Sequence, residues 1–141
     1  MPYRRRVDTL RILISGHNVL AGSSKLSDIV NELNRIKGSG RLPSRNWLLA
    51  VLHTTRALDT TLSEIVLAKG WRARSPALGA YLTTLQSNAI LSQAERIHYR
   101  RSVVDRRNMY MHQANAMPSR VDADSILAEM HSCVFVVLGR L

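Results

Sequence analysis

Over residues 45–69 the chain keeps one apolar rhythm without a break. Leu48, Val51, Leu52, Leu58, Leu62, Ile65 and Val66 recur at spacings that put them along one α-helix. Ser44 supplies a capping side chain ahead of this run, and Gly70 is a natural stop after it. A long helix of this kind needs other elements to cover its apolar side, and the remaining segments also read as helices.

Residues 8–20 form the first predicted helix, with Asp8 or Thr9 as cap, Leu10, Leu13 and Ile14 as its apolar positions, and Gly22 at its end. Ser23-Ser24 opens a second, whose stripe is Leu26, Ile29, Val30, Leu33 and Ile36, closed by Gly38-Ser39-Gly40; Arg41-Leu42-Pro43 is a linker. Ser75-Pro76 reads as a restart, a capping side chain followed by proline at the first helical position. The fourth helix then runs through Leu78, Tyr81, Leu82 and Leu85. Ser92 and Glu95 have capping-box spacing and open a fifth helix that reaches Ala114, before Ala116-Met117-Pro118-Ser119 breaks it. Asp122 or Asp124 starts a last helix through Ile126, Leu127, Met130, Val134, Val137 and Leu138. No segment alternates as a strand does. The predicted fold is all-α, a bundle of five or six helices in one domain spanning residues 1–141.

Composition narrows the function. With 45% hydrophobic and 21% charged residues, 141 residues suffice for a real core. No apolar run spans a bilayer and no signal peptide is apparent, so the expectation is a soluble, cytoplasmic protein with no membrane partner. The lone Cys133 lies in an apolar run and reads as a small core residue. The net charge is +10, carried by 17 Arg and only 3 Lys. Arg grips phosphate with a planar, two-pronged group, and such a charge gives salt-sensitive affinity for nucleic acid.

The fifth helix concentrates this charge in Arg96, Arg100, Arg101, Arg106 and Arg107. Its predicted stripe is Ile90, Ala94, Ile97, Val104 and Met111, with Arg101 and Asn108 interrupting it. An unpartnered guanidinium or carboxamide is costly to bury, so both interruptions point to a cleft or another subunit. Asn108 and His112 are four apart and share a face. Arg107 and His112 are five apart, about 140° around a regular helix. For both to reach one phosphate requires a distortion, a helix end near His112, or a second copy of the chain.

Arg107-Asn108-Met109-Tyr110-Met111-His112 resembles the Arg-polar-x-x-x-His signature of the HEPN superfamily, small helical bundles that include many metal-independent endoribonucleases. The likeness covers roughly residues 92–138; the earlier helices match only in being helical. It implies a homodimer with a composite site that cleaves RNA by 2′-hydroxyl attack and needs no cofactor or metal. In that picture Arg107 stabilises charge on the scissile phosphate, His112 acts as general base or acid, and Asn108 orients the pair. Arg106 offers the longer spacing the family tolerates, Arg101 assists phosphate binding, and Arg100 is a substrate-binding candidate or part of a solvated face. The likeness also implies a toxin or antiviral role, a nucleotidyltransferase-like antitoxin, and Tyr110 as a possible modification site.

Other readings stay open. A non-catalytic helical module would bind RNA or a protein without cutting. A helix-turn-helix DNA binder would need a clean turn before Ser92, which is lacking. His17, His53 and His131 show no metal-ligand spacing and read as structural, as do Trp47 and Trp71, taken as core or interface anchors.

Overall fold

The computed structural model describes residues 2–39 and 46–141. Among these the chain is all-helical, with no strand. The elements are α1 (Tyr3–Gly16), α2 (Leu26–Ser39), α3 (Trp47–Ala68), α4 (Leu78–Ser87), α5 (Gln93–Tyr99), α6 (Arg106–His112) and α7 (Arg120–Gly139). A π-helical segment, Arg100–Asp105, joins α5 to α6, so these three form one rod and the bundle has six helical rods.

The long α3 is central, packing against α2, α4 and α7, with α1 bridging α2 and α7. Leu58, Leu62 and Ile65 of α3 are fully buried in one core with Leu10 and Ile14 of α1, Leu33 of α2 and Ile126 of α7. Cys133 is buried there as expected, and burial pushes its thiol up to about 12. Trp47 packs edge-on against Tyr3, ring centroids 6.2 Å apart, and both tryptophans are partly buried against the core.

Several boundaries differ from the sequence expectation, each for a local reason. The first helix begins at Tyr3, because Val7, Leu10 and Ile14 together make the buried stripe. Asp8 is thus an interior residue and ion-pairs with Lys37 of α2 at 2.9 Å, while Thr9 Oγ1 donates to the Arg5 carbonyl. That helix stops at Gly16, short of Gly22: His17 turns extended and its ring bonds the Val19 amide and the Leu138 carbonyl. The expected cap Ser44 and the linker 41–43 lie outside the described residues. Asn46 is the observed cap of α3, its side chain accepting from the Leu49 amide at 3.0 Å. Gly70 ends α3 as predicted, at φ +70, a conformation that glycine adopts without strain.

Ser75-Pro76 does not cap α4. The chain bends over residues 74–77, with the Ala77 amide bonded to the Ser75 carbonyl at 2.9 Å, and the helix begins at Leu78 with no side-chain cap. Ser92 and Glu95 form the predicted capping box. Ser119 caps α7, with Asp122 as its capping-box partner, so Asp122 is the third helical residue and does not start the helix.

The largest difference lies in the fifth rod. It ends at His112, not Ala114, and its buried side chains are Tyr99, Val103 and Tyr110. Of the predicted stripe, Ala94 and Met111 are exposed and Ile97 and Val104 only half-buried. The difference already begins at Ala94 and Ile97, before the π segment: the buried face is the neighbouring one, carried by Tyr99, Val103 and Tyr110 at helical spacing. Arg101 lies off that face and is exposed.

Candidate functional site

A polar stripe on α3 begins the site. Arg56, Asp59, Thr60 and Ser63 recur at helical spacing on a helix that is otherwise largely buried. Opposite Arg56 and Asp59 lie the first turn of α4, the π segment and the start of α6. Together they enclose a cleft of about 510 Å³, lined by Arg56, Asp59, Gly79, Arg100, Arg107 and Asn108 among others.

Each basic group is brought there by a different device. Arg56 leans from α3 toward the carboxylate of Glu32, 3.5 Å away. Arg100 leaves the π turn and lies over Gly79, where a side chain would collide with it: a Cβ there would stand 2.8 Å from Arg100 Nη1. Asp105 sits 3.9 Å from the Arg100 Nε, and half of the Arg100 side chain remains exposed. Arg107 Nη1 donates a long 3.4 Å hydrogen bond to Asn108 Oδ1, so these two motif residues adjoin at the cleft. Asp59 is the one carboxylate in the lining. Burial raises its pKa, and the charge of Arg107 opposes that rise. Three guanidinium groups line the cleft with one carboxylate, two of them also ion-paired outward, to Glu32 and Asp105, and Arg geometry suits phosphate.

The other candidates go elsewhere. His112 ends α6, is exposed, and does not line the cleft. The π turn precedes Arg107, so it re-aims the motif as a body and leaves the angle between Arg107 and His112 unchanged. Arg106 is a structural tie: Nη1 donates to Ser125 Oγ at 2.9 Å, and Nη2 lies 3.6 Å from Asp122 Oδ1. Arg106 does not line the cleft. Arg101 is exposed away from the cleft lining. Tyr110 is buried, 9% exposed. The Asp122 carboxyl is held below the usual range, chiefly by the Ser119 amide and then by the hydroxyls of Ser119 and Tyr110 and the charge of Arg106.

The three scattered histidines are structural as read: His17 as above, His53 against Glu32 at 2.8 Å, and His131 beside Arg6 at 3.3 Å. Among the described residues no group of three or more His, Cys, Asp or Glu is placed to hold a metal ion. Nor is any helix there long and apolar enough to cross a membrane.

Sequence reasoning missed Arg56, Asp59 and Gly79. The signal for the first two was available, as a charged pair three apart on the polar side of the predicted third helix. Gly79 carried none, because its role is to leave room for a side chain twenty-one positions away.

No family model, curated protein or solved structure matches the chain.

Proposed function

We propose that the protein is a metal-independent endoribonuclease of the HEPN type that acts as a homodimer. The observation that carries this reading is how the motif divides: Arg107 and Asn108 line the basic cleft, and His112 ends the same helix outside it. A second copy of the chain supplies the missing group, setting His112 of one protomer beside Arg107 of the other. Exposed apolar side chains support such pairing. Met109 and Met111 lie within the motif and Met117 and Val121 follow it, Val121 being 75% exposed. A partner docked across the motif would cover them. The net charge of +10 supports RNA as ligand.

The chemistry follows from the groups. His112 takes the proton of the 2′-hydroxyl as that oxygen attacks the adjacent phosphorus. Arg107, oriented by Asn108, and Arg100 stabilise the charge on the phosphoryl oxygens. The bond from phosphorus to the 5′-oxygen breaks, that oxygen leaves with a proton from water, and His112 returns its proton to solvent. The products are a 2′,3′-cyclic phosphate and a 5′-hydroxyl. Through the resemblance, the reading extends to a cytoplasmic toxin or antiviral effector restrained by a nucleotidyltransferase-like antitoxin. It includes Tyr110 as a possible modification site, though this side chain is only 9% exposed.

A labelled single-stranded RNA incubated in EDTA tests the reading. Cleavage with cyclic-phosphate ends is expected, lowered at least about 100-fold in Arg107→Ala and in His112→Ala. Cleavage by both variants at the parent rate contradicts it. A second reading, a non-catalytic RNA-binding module, is favoured by the exposure of His112 outside the cleft; it predicts salt-sensitive binding and no cleavage.

A further inference from the structure

The cleft at Arg107 does not end at α3. Arg56, Asp59 and Pro76 also line a second cavity of about 520 Å³, bounded by α2, α3 and α4. The two are contiguous through these shared residues, yet their chemistry differs. Guanidinium groups of Arg100 and Arg107 face the first. The second mixes the carboxylates of Glu32, Asp59 and Glu64 and a Lys25–Asp28 ion pair with the guanidinium groups of Arg35 and Arg56, and Pro76 stands exposed at its wall.

Two of these carboxylates are already committed. Glu32 takes Arg35 at 2.9 Å and His53 at 2.8 Å, and Glu64 accepts from Ser23 Oγ at 2.8 Å. Asp59 has no hydrogen bond or ion pair to any other described residue, although it is half-buried at the junction of both cavities. A desolvated carboxylate without donors is poised to accept them from a ligand.

We propose that the second cavity receives the base of the nucleotide whose phosphate sits at Arg100 and Arg107, and that Asp59 selects guanine there. The inference rests on the RNA reading above in taking a nucleotide as ligand. A phosphate and its own base are joined by one sugar, as these two cavities adjoin at one wall. Guanine is the RNA base that presents two adjacent donors, N1–H and the N2 amino group, on its Watson–Crick edge. They match the two oxygens of one carboxylate. Adenine, cytosine and uracil each set an acceptor beside a single donor, which a carboxylate repels. Unstacked bases of single-stranded RNA are read in this way, with an apolar or aromatic surface against the ring. The exposed ring of Pro76 is in place for that contact.

Equilibrium binding of GMP, AMP, CMP and UMP to the full chain, followed by NMR titration, tests this without any cleavage. GMP is expected to bind about tenfold more tightly than the other three, as a bidentate pair warrants. Asp59→Asn should abolish that preference, since a carboxamide presents one acceptor and one donor. Arg56→Ala, at the shared wall, should weaken all four nucleotides alike. Equal affinity for the four, a guanine preference that survives Asp59→Asn, or no binding of any of them would overturn the inference. Failure to cleave RNA would count against the nuclease and leave the guanine result standing.

Discussion

Gly79 and Arg100 are in contact that only a glycine permits: the guanidinium of Arg100 lies where a Cβ at position 79 would stand, 2.8 Å from Nη1. Gly79 is in the first turn of α4, so glycine is not needed there for its backbone conformation. Its use is to let a charge from the π turn reach the cleft. Gly79→Ala displaces the far end of a flexible side chain, which is cheap, and adds a better helix former. Stability should therefore be unchanged or higher by up to about 1 kcal/mol. RNA affinity should fall about three- to tenfold, because a charge-assisted phosphate contact is lost or lengthened. Thermal melts and filter binding on the same preparation check the two halves.

Arg106 should behave in the opposite way. Its donors hold α6 to α7 through Ser125 and Asp122. Arg106→Ala is expected to destabilise the fold by about 1–2 kcal/mol, the scale for hydrogen bonds from a charged group. RNA affinity and cleavage should stay within about twofold of the parent at temperatures where the variant is folded. Urea denaturation and a cleavage assay separate these effects. A large loss of activity in a folded, stable Arg106→Ala protein would return Arg106 to the site.

The opening of α5 carries the pH dependence. Arg140 grips Glu95 with two hydrogen bonds, 2.7 and 2.9 Å, and the Ser92 amide adds a third. The Arg140 guanidinium, first, and then the Ser92 amide hold the Glu95 carboxyl down to about 2, from an ordinary 4.5. A depressed carboxyl contributes its stability above its unfolded value and loses it as pH falls. The melting temperature of the parent should exceed that of Arg140→Ala near neutral pH. The gap should narrow as pH drops from about 4.5 towards 2, and be smallest at the acid end. A gap independent of pH would mean that the pair contributes nothing electrostatic.

These residues also mark what the sequence could disclose. Gly70 as a stop and the Ser92–Glu95 box were readable because both act through local backbone chemistry. The buried stripes of α2, α3 and α7 were readable because burial follows the helical period. The π turn was not, because an i→i+5 shift leaves no side-chain signature. The buried face of the fifth rod was not either: its apolar residues are sparse enough to fit two adjacent faces, and only packing selects Tyr99, Val103 and Tyr110. The ties of Arg106 were not readable either: charge on a helix names no partner, and its partners come from α7. Ser119 was passed over because Asp122, an equally good cap in isolation, stood three residues away. Arg107 and Asn108 were found by motif, and their meeting at one cleft needed the fold.

The division between Arg107 at the cleft and His112 beyond it is the central claim, because it makes activity a property of two chains. Mixing Arg107→Ala protein with His112→Ala protein tests it most directly. In the mixed dimer one composite site loses both groups, while the other keeps an intact Arg107 from one protomer and an intact His112 from the other. The account predicts that each variant alone is inactive and that the mixture regains about a quarter of the parent rate, half the dimers being mixed and each having one intact site. A mixture as inactive as its components, with exchange of subunits verified, would contradict it.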